Sequence, residues 1–83
     1  LKPHPEVLLR TLKKLSLKPG DALYVGDMTI DVKTGRRAKV RTVAVVTGSS
    51  TRKEIERLRP WRVIDRVEDL LKVLKNLPAA TKK

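Results

Sequence analysis

Leu8, Leu12 and Leu15 recur at spacings of four and three, with mostly polar residues between them. That period puts the three leucines on one face of a helix over residues 5–16, with Pro5 at the first helical position, where a missing N–H costs nothing. The pattern breaks at the turn sequence Pro19-Gly20-Asp21, and Ala22 to Val25 follows as a short, continuously apolar run. A second run, Thr42 to Val46, is largely β-branched. Short unbroken apolar runs suit strands covered on both faces of a parallel sheet. Residues 29–38, between them, read as a helix.

Further along, Thr51-Arg52-Lys53-Glu54 has the spacing of a capping box, so another helix begins there and stops before Pro60. Ile55 and Leu58 give it a narrow apolar face. Trp61 to Ile64 predicts a third strand, and Asp65 is placed to cap a last helix whose Val67, Leu70, Leu71 and Leu74 form an inward stripe. Residues 78–83 read as a flexible tail, which leaves 1–77 as the domain. The order α-β-α-β-α-β-α predicts an α/β fold, a parallel sheet of three strands with four flanking helices and right-handed crossovers.

Composition narrows the functional classes. A domain of 83 residues buries only about 60–65% of the surface its unfolded chain exposes, so its stability is modest unless something assists it. With no cysteine in the chain, disulfides and thiolate metal sites are excluded. The absence of a secretory h-region points to the cytoplasm. The formal charge of +11, from 20 Lys and Arg against 9 Asp and Glu, favours phosphorylated ligands or polyanions. The basic residues are scattered, however, and Tyr24 and Trp61 are the only aromatics that could stack on a base, so nucleic-acid binding ranks third. A lysine-rich, thermophile-like surface explains the charge more simply. No membrane segment is expected.

The topology gathers the candidate chemistry. The segments before the first helix, after the first strand and after the second strand all lie at the carboxyl edge of the sheet. Lys2, Asp27 with Asp31, and Thr47-Gly48-Ser49-Ser50 therefore share the edge where open α/β sheets bind ligands. One or two carboxylates on a stiff turn suffice to begin a Mg²⁺ shell that keeps several waters. Asp27 is the stronger ligand candidate. Asp31 is placed to hold a metal-bound water or pair with Lys2, whose ammonium would neutralise a transferring phosphoryl group. Thr47 and Gly48 are candidate phosphate contacts. Each residue also has a plain structural reading: Asp27 as a helix cap, Asp31 as a first-turn charge, Lys2 as a solvated cation and His4 as a turn residue between two prolines.

Taken together, Lys2-Pro3-His4-Pro5 opening a helix, Val25-Gly26-Asp27 with Asp31 four residues on, and Arg36-Arg37-Ala38 leading into Thr42-Val43-Ala44-Val45-Val46 resemble the haloacid-dehalogenase-like (HAD) phosphohydrolases. The match looks like the C-terminal half of the phosphoglycolate-phosphatase-like branch and implies a partial Rossmannoid core. It implies Lys2 as phosphate and nucleophile partner, Asp27 as Mg²⁺ ligand and Asp31 as its acidic companion in metal binding and catalysis. Where this chain has Lys39, family members tend to have glycine, so the helix end that usually uses a left-handed residue is expected to be built differently here, a lysine being strained in that conformation.

The family's nucleophile lies in an Asp-x-Asp sequence, and none occurs here; the Glu54 and Glu56 pair lies in a predicted helix. The chain opens at Leu1, inside a motif, and reads as a trimmed, processed or engineered chain. The leading reading is the C-terminal portion of a Mg²⁺-dependent phosphomonoester hydrolase, inactive alone, that acts on a phosphorylated small molecule in a full-length context. A non-catalytic phosphate-binding module or an excised scaffold is the alternative. In the family sheet the nucleophile strand lies beside the strand at 22–25, so that edge is expected to pair with a second copy or a complementary N-terminal segment.

Overall fold

The structure, a computed structural model, describes residues 4–48 and 50–77. The expected alternation is present: α1 (Glu6–Lys14), β1 (Leu23–Gly26), α2 (Thr29–Ala38), β2 (Arg41–Val45), α3 (Arg52–Arg57), β3 (Arg62–Ile64) and α4 (Leu70–Lys75), with single 3₁₀ turns at Pro19–Asp21 and Val67–Asp69. The strands form one parallel sheet in the order β1-β2-β3, pairing Leu23 with Arg41, Gly26 with Ala44, and Val45 with Ile64. A partial Rossmannoid core is the result, with β1 at one edge. The expected tail at 78–83 lies outside the described residues.

Two apolar layers sandwich the sheet. On one face, Val32 of α2 and Ile55 of α3 pack on Ala44, while Leu12 of α1 packs with Ala38, Val40 and Tyr24. Val43, Val45 and Ile64 point the other way and meet Leu70 and Val73 of α4. The centre of β2 is the driest part of the molecule, with Val43 and Ala44 fully buried. Close packing of α2 on β2 depends on Gly35, because a Cβ there would overlap Thr42 Oγ1. Towards the β1 edge the second face is thinly covered, and Val25 remains exposed.

Helix ends follow local chemistry. Thr51 and Glu54 form the predicted capping box: Thr51 Oγ1 accepts from Glu54 N at 3.1 Å, and Thr51 N donates to Glu54 Oε1 at 2.8 Å. Against the expectation of a different terminus, α2 closes through a left-handed Lys39 at φ 61°, its N–H donating to the Arg36 carbonyl at 3.0 Å. α1 stops two residues before the predicted end because Ser16 turns left-handed at φ 58°, which carries Leu15 into solvent.

The last segment departs from expectation. Asp65 caps nothing: its carboxylate pairs with Arg52, which also bonds Glu56 at 3.0 Å. A 3₁₀ turn at Val67–Asp69 then resets the phase before α4, so Leu70 and Val73 face the sheet while Val67, Leu71 and Leu74 are exposed. The predicted inward stripe was wider than the one surface available to receive it. Among the described residues, no helix is long and apolar enough to cross a membrane.

Candidate functional site at the carboxyl edge

β1 ends at Gly26 and α2 begins at Thr29, so Asp27 and Met28 form a two-residue turn at the carboxyl edge of the sheet. Asp31, in the first turn of α2, fastens it. Its Oδ2 accepts from the backbone N–H groups of Asp27 and Met28, both at 3.0 Å, and its Oδ1 accepts from the Tyr24 hydroxyl at 3.3 Å. Gly26 permits this, since a Cβ there would collide with the Asp31 side chain. The sequence Gly-Asp-x-x-x-Asp thus builds a rigid turn in which the second carboxylate holds the backbone of the first.

Asp27 is left available. It is half-buried, and among the described residues its carboxylate neither accepts a side-chain hydrogen bond nor joins an ion pair, since both ion pairs found use Arg52. Its Oδ2 lies so near Gly48 that an added Cβ would sit 2.5 Å away. Gly48 therefore lets the loop after β2 close against the turn after β1. Ser50 makes a second tie, its Oγ accepting from Thr29 N at 3.1 Å and satisfying one of the free N–H groups at the start of α2.

The structure brings together Asp27, Asp31 and Gly48, with Thr47 exposed on the same loop. Lys2 and Ser49 lie outside the described residues. His4 lines a cleft of about 440 Å³ between α1 and α2, whose lining also includes Tyr24 and Asp31. No group of three or more His, Cys, Asp or Glu side chains able to hold a metal occurs among the described residues. Two contributors escaped sequence reasoning. Tyr24 belongs to no motif, yet its hydroxyl donates to Asp31, and burial followed by that carboxylate raises its pKa. Ser50 ties the loop after β2 to the start of α2, while Thr51 caps α3.

With this geometry in place, comparison with known proteins is decisive. A model of the HAD-hydrolase-like family matches residues 1–70. The chain belongs to the HAD-like hydrolases. Within them it falls in the phosphoglycolate-phosphatase-like branch. It is 39% identical over 77 residues to pyrophosphatase PpaX from Bacillus cereus, covering 93% of this chain and 36% of that protein.

Among solved HAD-like structures, a putative beta-phosphoglucomutase from Bacteroides vulgatus superimposes with a TM-score of 0.82 at 30% identity, covering 99% of this chain and 34% of that one. A predicted phosphoglycolate phosphatase from Haemophilus somnus gives 0.80 at 28% identity, covering 89% and 33%. The chain thus spans about a third of the length of the relatives it matches.

Proposed function

We propose that this chain is the C-terminal portion of a Mg²⁺-dependent HAD-like phosphomonoester hydrolase, supplying the acidic and lysine side of an active site whose aspartate nucleophile it lacks. The observation that carries the reading is Asp27, a half-buried carboxylate without a side-chain hydrogen bond among the described residues, fixed at the carboxyl end of the strand that forms the open edge of the sheet. An aspartate on a neighbouring strand would sit beside it. The single free carboxylate on a braced turn fits Mg²⁺, which accepts one or two protein carboxylates and keeps waters. Bound there, the ion would neutralise charge on a phosphoryl group.

In this reading the residues divide the work. Asp27 offers an oxygen ligand, and Asp31 acts from behind, holding the Asp27 and Met28 amides so that the ligand cannot swing. Thr47 and Gly48 flank the phosphoryl position, and Lys2, by the family resemblance, offsets negative charge on phosphate and nucleophile. The substrate class is a phosphorylated small molecule.

Because covalent phosphoryl transfer needs the missing aspartate, the chain with Mg²⁺ should hydrolyse p-nitrophenyl phosphate no faster than buffer. It should bind Mg²⁺ weakly, on the order of millimolar, and more weakly still as Asp27→Ala. Turnover that survives repurification and disappears in Asp27→Asn would overturn the missing-nucleophile claim. Mg²⁺ binding indifferent to Asp27→Ala, followed by calorimetry, would overturn the ligand assignment.

A further inference from the structure

At the opposite end of the strands, the C-termini of α2 and α3 and the first residues of β2 and β3 surround a cavity of about 340 Å³. Arg36, Lys39, Arg41 and Arg59 line it together with Trp61 and the Thr42 side chain, and no acidic residue does. Arg62, outside the lining, stacks on Trp61, its guanidinium carbon 4.3 Å from the ring centroid, with that of Arg41 at 5.4 Å. None of these five cations forms an ion pair among the described residues. Helix C-termini attract cations to their free carbonyls, but Arg36 alone meets that need at the end of α3, donating to the carbonyls of Leu58 and Arg59.

Backbone conformation adds an independent observation. Lys39 at φ 61° and Arg59 at φ 53° are both left-handed, and both flank the cavity. Glycine would adopt these angles without steric cost, so a long cationic side chain is carried at two positions at some expense to stability. Strain of this kind, combined with unneutralised like charges around a concavity, is accounted for by an anion that the charges meet together.

We propose that this amino-edge cavity is a binding site for an oligophosphate group, separate from the acidic carboxyl edge and beyond the reading proposed above. Its volume falls in the range of small-ligand sites. Guanidinium groups match phosphate oxygens bidentately, and a chain of phosphates can meet several at once. A single-stranded nucleic acid fits less well, because the Trp61 ring already carries two guanidinium groups and a base would have to displace them. Inorganic oligophosphate and the triphosphate of a nucleotide share the chemistry that this site recognises.

Titration calorimetry with tripolyphosphate, ATP and sulfate, without Mg²⁺, tests the proposal, and emission from Trp61, the sole tryptophan, locates the binding. Tripolyphosphate should bind at least roughly tenfold more tightly than sulfate, with a saturable change in Trp61 emission. Arg41→Gln and Lys39→Gly should each weaken it by roughly three- to tenfold, the scale of one charge contact open to solvent. Glu68→Gln, in the exposed 3₁₀ turn after β3, should leave it unchanged.

Equal affinity for ATP and tripolyphosphate assigns recognition to the phosphates alone, and tighter ATP binding assigns it to a nucleotide; both support the proposal. Lys39→Gly also relieves the left-handed lysine, so its loss of affinity would come with retained stability. Unchanged binding in both variants, or no binding by the parent chain, would overturn the site. A single-stranded oligonucleotide that binds more than tenfold tighter than tripolyphosphate and is weakened by the same substitutions would overturn the ligand class.

Discussion

Asp31 shows how much one side chain can do at this sheet edge. Its two oxygens accept from two backbone amides and a phenol, so the carboxylate that spacing nominates for metal binding commits most of its acceptor sites to holding this turn in place. Tyr24 carries a measurable consequence. Burial first, and Asp31 second, raise its pKa above the ordinary 10.0, favouring the neutral phenol in the folded state. A group raised in this way stabilises the fold fully below its unfolded pKa, and the contribution is lost as pH climbs through the folded value. Tyr24→Phe should therefore lose up to about 1 kcal/mol at neutral pH, for one hydrogen bond, and show a shallower alkaline decline than the parent. Urea midpoints from pH 7 to about 11 measure both. Parallel declines would mean that the phenol does not sense Asp31.

Elements with a clean period were legible in the sequence, and those whose ends depend on distant partners were not. α2 matched its predicted residues because both its boundaries are local, the turn at Asp27-Met28 and the left-handed Lys39. Strands 1 and 2 shifted by one residue. Asp65 was misread because its partner, Arg52, is 13 residues away, and the α4 stripe because a 3₁₀ turn changed the rotation per residue before it. Ser50 was hidden for the same reason, reaching back 21 residues to Thr29.

The edge of β1 is where this level of organisation meets assembly. Its outer side has no strand partner among the described residues, and neither proline nor lysine interrupts it. We expect concentration-dependent self-association at micromolar levels in sedimentation, with slowed amide exchange along Leu23 to Val25. A monomer whose amides exchange rapidly there would contradict pairing through this edge.

The whole molecule has two chemically different ends. Two carboxylates occupy the carboxyl edge of the sheet, while guanidinium and ammonium groups that form no ion pair among the described residues crowd the amino edge. The net charge of +11 announced the second in sum but not in place, since the contributing residues are spread between positions 36 and 62 and only the parallel register collects them. The first was readable from motif spacing, because Gly26, Asp27 and Asp31 are close in sequence. The sequence contains no Asp-x-Asp, which is why the proposed reading places the nucleophile outside this chain.

The most direct measurement is the hydrolysis of p-nitrophenyl phosphate, with Mg²⁺, by this chain joined to the part of Bacillus cereus PpaX outside the 36% of that protein it matches. A folded hybrid should show turnover above that of the chain alone, and Asp27→Asn should cut it by roughly a hundredfold or more. A folded hybrid with no turnover, or one whose rate ignores Asp27→Asn, would contradict the account.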